Sequence, residues 1–190
     1  MDAVEAIMTR RSVRQFTPQA VTDAELEVVL RAAMAAPSAG NERPWRFVVV
    51  TEPDMLARLA KATPFAGALA GAPAGLVVCA DRRSLKYPGF WPIDCSAAIE
   101  NALLAAHAIG LGGVWIGVHP IAPLVWNVRR IVGVPKGIDP VSLVALGHPA
   151  KAREPVDRYE PDWVHWQVWD GRKPGADDGA GRQEKEDEDA

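Results

Sequence analysis

Apolar residues at helical spacing alternate along this chain with short, nearly continuous apolar runs, and the alternation predicts helices and strands in turn. A short amphipathic run, Ala3 to Met8, opens the chain. Thr22, with Glu25 three residues on, forms a capping box ahead of a helix through Leu26, Val29, Leu30, Ala33 and Met34, which stops before Pro37. A turn-rich loop, Pro37 to Trp45, leads into a strand Phe47–Val50, and Glu52-Pro53-Asp54 starts a helix from Met55 to Lys61. Ala62 to Ala80 carries no charge for 19 residues. Pro64 and Pro73 break it, so it reads as a short helix or turn followed by a buried strand, Leu76–Ala80, and not as a membrane span. Asp81 to Pro92 is charged and then aromatic (Tyr87, Phe90, Trp91), an excursion loop able to cover a site or simply to pack.

The longest helix signal, Cys95 to Ile109 with Asp94 as its cap, is apolar almost all the way round. A helix of that kind must be buried on every side, either at the centre of the domain or shared with a second subunit. Its one histidine, His107, reads as a satisfied core or interface residue. Gly110-Leu111-Gly112-Gly113 invites a dinucleotide-binding reading, but these glycines close a helix and lead into the strand Val114–Val118, the reverse of that fingerprint's order. Pro120 to Pro123 opens a helix that ends near Gly133, Pro135-Lys136-Gly137 is a turn, and Val141–Gly147 is the last core strand. A tryptophan-rich arm follows, with Trp163, Trp166 and Trp169 expected as packing or dimer-arm anchors.

Composition changes the picture in three ways. The chain of 190 residues has a net charge of −3, and residues 171–190, with four basic and seven acidic side chains, account for all of it. Residues 1–170 are therefore expected to form one domain without net charge, unsuited to general nucleic-acid binding, and 171–190 a disordered charged tail. Two cysteines, Cys79 and Cys95, and an N-terminus with acids where a signal peptide needs bases point to a reducing cytoplasm. The four histidines show no metal-ligand spacing, and no Gly-x-Ser-x-Gly elbow or Walker loop occurs, so no metal is expected and no catalytic side chain can be named. Chemistry would have to come from a bound cofactor.

Arg10-Arg11-Ser12-Val13-Arg14 is the richest candidate. Guanidinium forks and a hydroxyl suit a phosphate, although Arg10 and Arg11 also simply complement the C-terminal dipole of the first helix. Gly117, at the far end of its strand, would let a flat ligand approach the backbone.

Taken together, Arg10–Phe16, Ala36-Pro37-Ser38 with Asn41 and Pro44-Trp45, Asp94 before the long helix, Gly110-Leu111-Gly112 with Trp115-Ile116-Gly117, and Leu146-Gly147-His148-Pro149 resemble the FMN-dependent nitroreductases over roughly residues 3–169. The resemblance implies an α+β fold with a mixed, mostly antiparallel sheet flanked by helices, in a domain-swapped homodimer with two FMN sites at the subunit interface. It implies that Arg10, Ser12 and Arg14, with Arg11 alongside, hold the FMN phosphate and ribityl chain, and that Lys151 or Arg153 returns to the phosphate. Pro37, Ser38 and Asn41 would approach the flavin from the other subunit, and Trp115, Ile116 and Gly117 would line its ring face. Arg43 stands before Pro-Trp where the family often has Gln, a departure that would favour an anionic substrate or the anionic reduced flavin. The implied activity is electron transfer from NADH or NADPH to a small electrophile such as a nitroaromatic or quinone, by a ping-pong mechanism. A flavin-binding protein without turnover, and flavin-fragmenting or dehalogenating chemistry on the same scaffold, are the alternatives.

Overall fold

The computed structural model describes residues 1–174 and divides the chain into two units, Met1–Val156 and Asp157–Ala190. The expected charged tail lies, from residue 175 onward, outside the described residues. The first unit is an α+β layer structure. Five helices, α1 (Ala3–Thr9), α2 (Asp23–Met34), α3 (Pro53–Ala60), α4 (Trp91–Ala108) and α5 (Ala122–Val132), surround four strands. The strands are β1 (Trp45–Val50), β2 (Ala74–Asp81), β3 (Gly112–Gly117) and β4 (Ile138–Gly147), in the order β1-β2-β4-β3. Every strand pair is antiparallel, and the parallel component of the expected mixed sheet is a single bridge between Ser12 and Gly113.

β2 is buried along its whole length because helices cover the sheet on both sides. Leu76, Val78 and Ala80 face α2 and α4, while Val77 and Cys79 face the cluster built by α3 and α5, as the period of two requires. Pro140, which has no N–H to give to the ladder, sits opposite Cys79 at a register shift. The Thr22–Glu25 capping box is formed in full, with the Glu25 carboxylate taking the Thr22 N–H at 2.7 Å. That bond, with a second from the Thr22 hydroxyl, holds the Glu25 pKa below its ordinary value.

Within one chain the burial of α4 is one-sided: Cys95, Ala98, Ile99, Ala102, Leu103 and Ala106 are in the core, while Ile93 is 64% exposed and Leu104 and Ala105 are half-buried, which leaves the shared-helix alternative. One expectation about α4 needs correction: Asp94 is not the cap. The helix starts at Trp91-Pro92, where proline's missing N–H costs nothing, and Asp94 falls inside the first turn with its carboxylate directed elsewhere. Among the described residues no helix is long and apolar enough to cross a membrane.

The second unit holds a short 3-10 turn, Pro161–Trp163. His165 stacks on Trp169 at 4.3 Å between centroids, and the Lys173 ammonium lies 5.8 Å from the Trp166 ring centroid. Trp163 and Trp169 are about four-fifths exposed in the single chain.

In the first unit, Gly112 of β3 pairs with Gly147 of β4, and each is closely overlaid. A Cβ on Gly112 would lie 2.6 Å from Val13 Cγ2 and 2.7 Å from Val13 Cβ; one on Gly147 would lie 2.5 Å from Pro73 and 2.9 Å from Phe16. The residue-11–17 segment crosses the sheet through that gap. Gly112→Ala should therefore destabilise the fold by about 1–3 kcal/mol, measured by denaturant titration. A stability equal to wild type would show that the segment packs elsewhere.

Candidate active site

The crossing places the N-terminal segment beside the chain that leaves β4. Val13 N–H donates to the Gly113 carbonyl at 2.9 Å, Thr17 N–H to His148 at 2.9 Å and Ala150 N–H to Gln15 at 3.0 Å, and Phe16 bridges Pro149. Arg14, 137 positions before Lys151 in sequence, thus becomes its neighbour. Arg14, Lys151 and Arg153 line one cavity of ≈ 320 Å³ together with Val13, Gln15 and Ala152. No carboxylate lines it, and none of the three cations has an ion pair among the described residues. Three uncompensated positive charges around one small opening favour a dianion.

The other two arginines of the cluster are already engaged. Arg10 Nε pairs with Glu100 of α4 at 3.1 Å, and Arg11 donates to the Glu154 carbonyl at 2.5 Å. They tie the cluster to α4 and to the chain beyond β4, and Ser12 is half-buried. His107, accounted for as expected, shares a 2.8 Å hydrogen bond with Thr9, and burial and the Arg10 charge lower its pKa.

A second set of predicted residues lies on the loop from α2 to β1. Gly40, Asn41 and Arg43 have φ of 56°, 55° and 48°, and left-handed backbone at two non-glycine residues marks a loop held against its preference. The Ser38 hydroxyl oxygen accepts from Arg43 N–H at 3.0 Å, and Ala39 N–H donates to Asp94 Oδ1 at 3.0 Å. Glu42 accepts from the backbone N–H groups of Lys86 and Tyr87, so the 82–90 loop is pinned to this one. Tyr87 lies so close to Gly40 that an added Cβ would be 2.5 Å from its ring. Pro37 is exposed beside this loop. Arg43 lines a separate cavity of ≈ 630 Å³ with Leu30, Met34, Trp45 and Phe47.

The 82–90 loop is fixed at both ends. Arg83 and Arg46 pair with Asp81, at 2.7 and 3.3 Å, and hydrogen bonds from Arg83 hold the Asp81 carboxyl at about 2. At the far end Trp91 is met edge-on by His119, with ring centroids 4.5 Å apart.

The third set divides. Trp115 is 38% exposed and Gly117 has open space where a side chain would be, both on the α4 face of β3 beyond the helix. Ile116 points the other way, 3% exposed in the α3–α5 core, and presents no side chain to that face; its carbonyl accepts from the buried Ser142 hydroxyl at 2.8 Å. β1 and β3 are the two edges of the sheet, three strand spacings or about 14 Å apart. One chain therefore brings Arg14, Lys151 and Arg153 together near β3 and holds Ser38, Asn41 and Arg43 at the opposite edge.

A model described as Nitroreductase family matches residues 7–64 and 61–148. The chain belongs to the nitroreductase family. A Methanothermobacter thermautotrophicus protein, assigned by inference as an NADH dehydrogenase/NAD(P)H nitroreductase, is 42% identical over 169 residues, covering 89% of this chain and 88% of its own. A crystal structure from Bacteroides thetaiotaomicron with the same assignment superposes with a TM-score of 0.83 at 36% identity, covering 87% of this chain and 96% of that one. A nitroreductase, assigned likewise, from Desulfovibrio desulfuricans was solved in complex with FMN; it superposes with a TM-score of 0.76 at 29% identity, covering 88% and 98%.

In this nitroreductase-family chain, two carboxylates that organise the site escaped the sequence reading. Asp94 looked like a cap because it stands at the head of the helix pattern, and Glu42 gave no local signal, since its partners are 44 and 45 residues away. Gly40→Ala tests the coupling of the two loops. A left-handed alanine costs about 1–2 kcal/mol and its methyl would displace Tyr87. Trypsin should then cut faster after Arg82, Arg83 or Lys86 in the native protein. An unchanged cleavage rate would show that Tyr87 does not hold the loop.

Proposed function

We propose that the protein is an FMN-dependent oxidoreductase that passes electrons from NADH or NADPH to a small electrophile, a nitroaromatic or quinone, and works as a homodimer. The observation that carries this reading is the meeting of Arg14, Lys151 and Arg153 at one cavity without a carboxylate to neutralise them. A terminal phosphate supplies the missing negative charge, and guanidinium forks take its oxygens in pairs. Ser12 lies next to this group, while Arg10 and Arg11, bound to Glu100 and to the Glu154 carbonyl, hold the segment in place. Trp115 and the open backbone at Gly117 offer a flat surface on the same edge of the sheet. When bound, FMN would supply the two-electron redox chemistry that no side chain of this set provides. The family's FMN complex from Desulfovibrio desulfuricans and the NAD(P)H nitroreductase assignment of the Methanothermobacter relative support the choice of cofactor and donor.

The sheet order supports the dimer. Ser38, Asn41 and Arg43 are carried to one edge and the cation cavity to the other, so a site that uses both sets needs two copies. A second copy also covers apolar surface that a lone chain leaves in water: Val4 (70% exposed), Ile7, Met8 and Ile93 on α1 and α4. The exposed tryptophans of the second unit fit the expected swapped arm. In such a dimer donor and acceptor would share one opening and use it in turn, which is the ping-pong order. The side chains bind, orient and supply positive charge, Arg43 among them, and none is required as a general base. The two free, buried cysteines, with thiol pKa values pushed up to about 12 by burial, suit a reducing cytoplasm.

The test is a titration of the purified protein with FMN, followed by size-exclusion chromatography and assay with NADH, NADPH and a quinone or nitroaromatic. One FMN per chain, a dimer, turnover and parallel double-reciprocal plots are expected. FMN binding without turnover would leave a flavin-binding protein, and no FMN binding would remove the reading. Arg14→Ala should weaken FMN binding by about 1.5–3 kcal/mol, the worth of a hydrogen bond to a charged group. An unchanged affinity would place the phosphate elsewhere.

A further inference from the structure

We infer that Asp94 is a positioning residue for the cofactor: it holds the Ser38–Arg43 loop in its binding conformation from underneath. The inference rests on the FMN reading above and adds to it a residue that does not itself line the cation cavity.

The loop begins with a 3-10 turn, Ala39–Asn41, whose first N–H has no partner inside the turn. Ser38, at the N-cap position, cannot reach the N–H of the residue that directly follows it, and its hydroxyl oxygen accepts from Arg43 N–H. Asp94, 55 residues away and 5% exposed, accepts from Ala39 N–H at 3.0 Å. A carboxylate is favoured there because it lies in the first turn of α4, at the positive end of an 18-residue helix. Asp94 serves the Ala39 donor, while Ser38 accepts from Arg43 N–H and still has its own hydroxyl proton to donate outward. The left-handed backbone of Gly40, Asn41 and Arg43 is then clamped at three points: Asp94 on Ala39, Ser38 on Arg43, and Glu42 on the Lys86 and Tyr87 N–H groups. Of these, the Asp94 contact is the one made by a buried side chain of the core, and it holds the start of the loop, while Arg46 of β1 donates to the Arg43 carbonyl at its end, at 3.2 Å. Without the Asp94 contact, the loop can relax toward ordinary φ values, and Ser38 and Asn41 lose their fixed placement.

The experiment compares wild type, Asp94→Asn and Asp94→Ala, each as the full chain. Two quantities are read: the FMN dissociation constant, and the hydrogen-exchange rate of the Ala39 amide in the cofactor-free protein. Asparagine keeps an acceptor oxygen at the same place but is a weaker acceptor than a carboxylate; alanine has none. Ala39 exchange should be slowest in wild type, faster in Asp94→Asn and fastest in Asp94→Ala. The FMN dissociation constant should rise in the same order, on the order of tenfold or more for alanine. If the alanine variant does not fold, wild type and the asparagine variant carry the same comparison. A variant whose Ala39 amide exchanges faster while FMN affinity stays at the wild-type value overturns the inference, as does an Ala39 amide unprotected in wild type. A wild-type protein that binds no FMN overturns the cofactor reading instead, and so separates the two failures.

Discussion

The candidate site depends on one close approach, the passage of residues 11–17 over the glycine pair Gly112–Gly147. A side chain at either glycine would collide with Val13, Pro73 or Phe16, so the segment could not sit down on the ends of β3 and β4. Once seated, it exchanges backbone hydrogen bonds with the chain leaving β4, and those bonds, with Arg11 on the Glu154 carbonyl, set Arg14 beside Lys151 and Arg153. Packing at two residues without side chains thus fixes an electrostatic feature built from both ends of the unit. Like charges gathered this way repel each other in the free protein, and an anionic ligand relieves that repulsion as it binds.

The sheet order imposes the next constraint. With β1 and β3 as the edges, the loop ending in Pro44-Trp45 and the cation cavity face away from each other by the width of the sheet. α4 connects them from below: Asp94 in its first turn holds the first set, and Glu100, further along, holds Arg10 of the second. The same helix leaves one apolar side uncovered. One element that anchors both halves of the site and also offers surface to a second copy would make folding, association and cofactor binding interdependent.

Much of this was legible in the chain. The Thr22–Glu25 box and the core strands, read from short continuous apolar runs, rest on local chemistry and are present, while Gly112 and Gly113, read as closing the helix, belong to strand β3. The α+β class came with the resemblance, and the fold bears it out. Asp94 was misread because a carboxylate at the head of an apolar run is a cap by local rules, whereas Pro92 allows the helix to start earlier and frees that carboxylate for a partner 55 residues away. At Trp115-Ile116-Gly117 the motif named three neighbours, but strand alternation gives only two of them to one face. The resemblance supplied the grouping of Arg14 with Lys151 and Arg153; the backbone crossing supplies its physical cause.

The central claim is that these three cations hold a phosphate, and comparing FMN with riboflavin tests it most directly, because the two differ only in that group. Calorimetric titration of the cofactor-free protein with each should give FMN an affinity higher on the order of 100-fold, the equivalent of one or two charge-assisted hydrogen bonds, and the difference should shrink as salt is added. Equal affinities for FMN and riboflavin would contradict it.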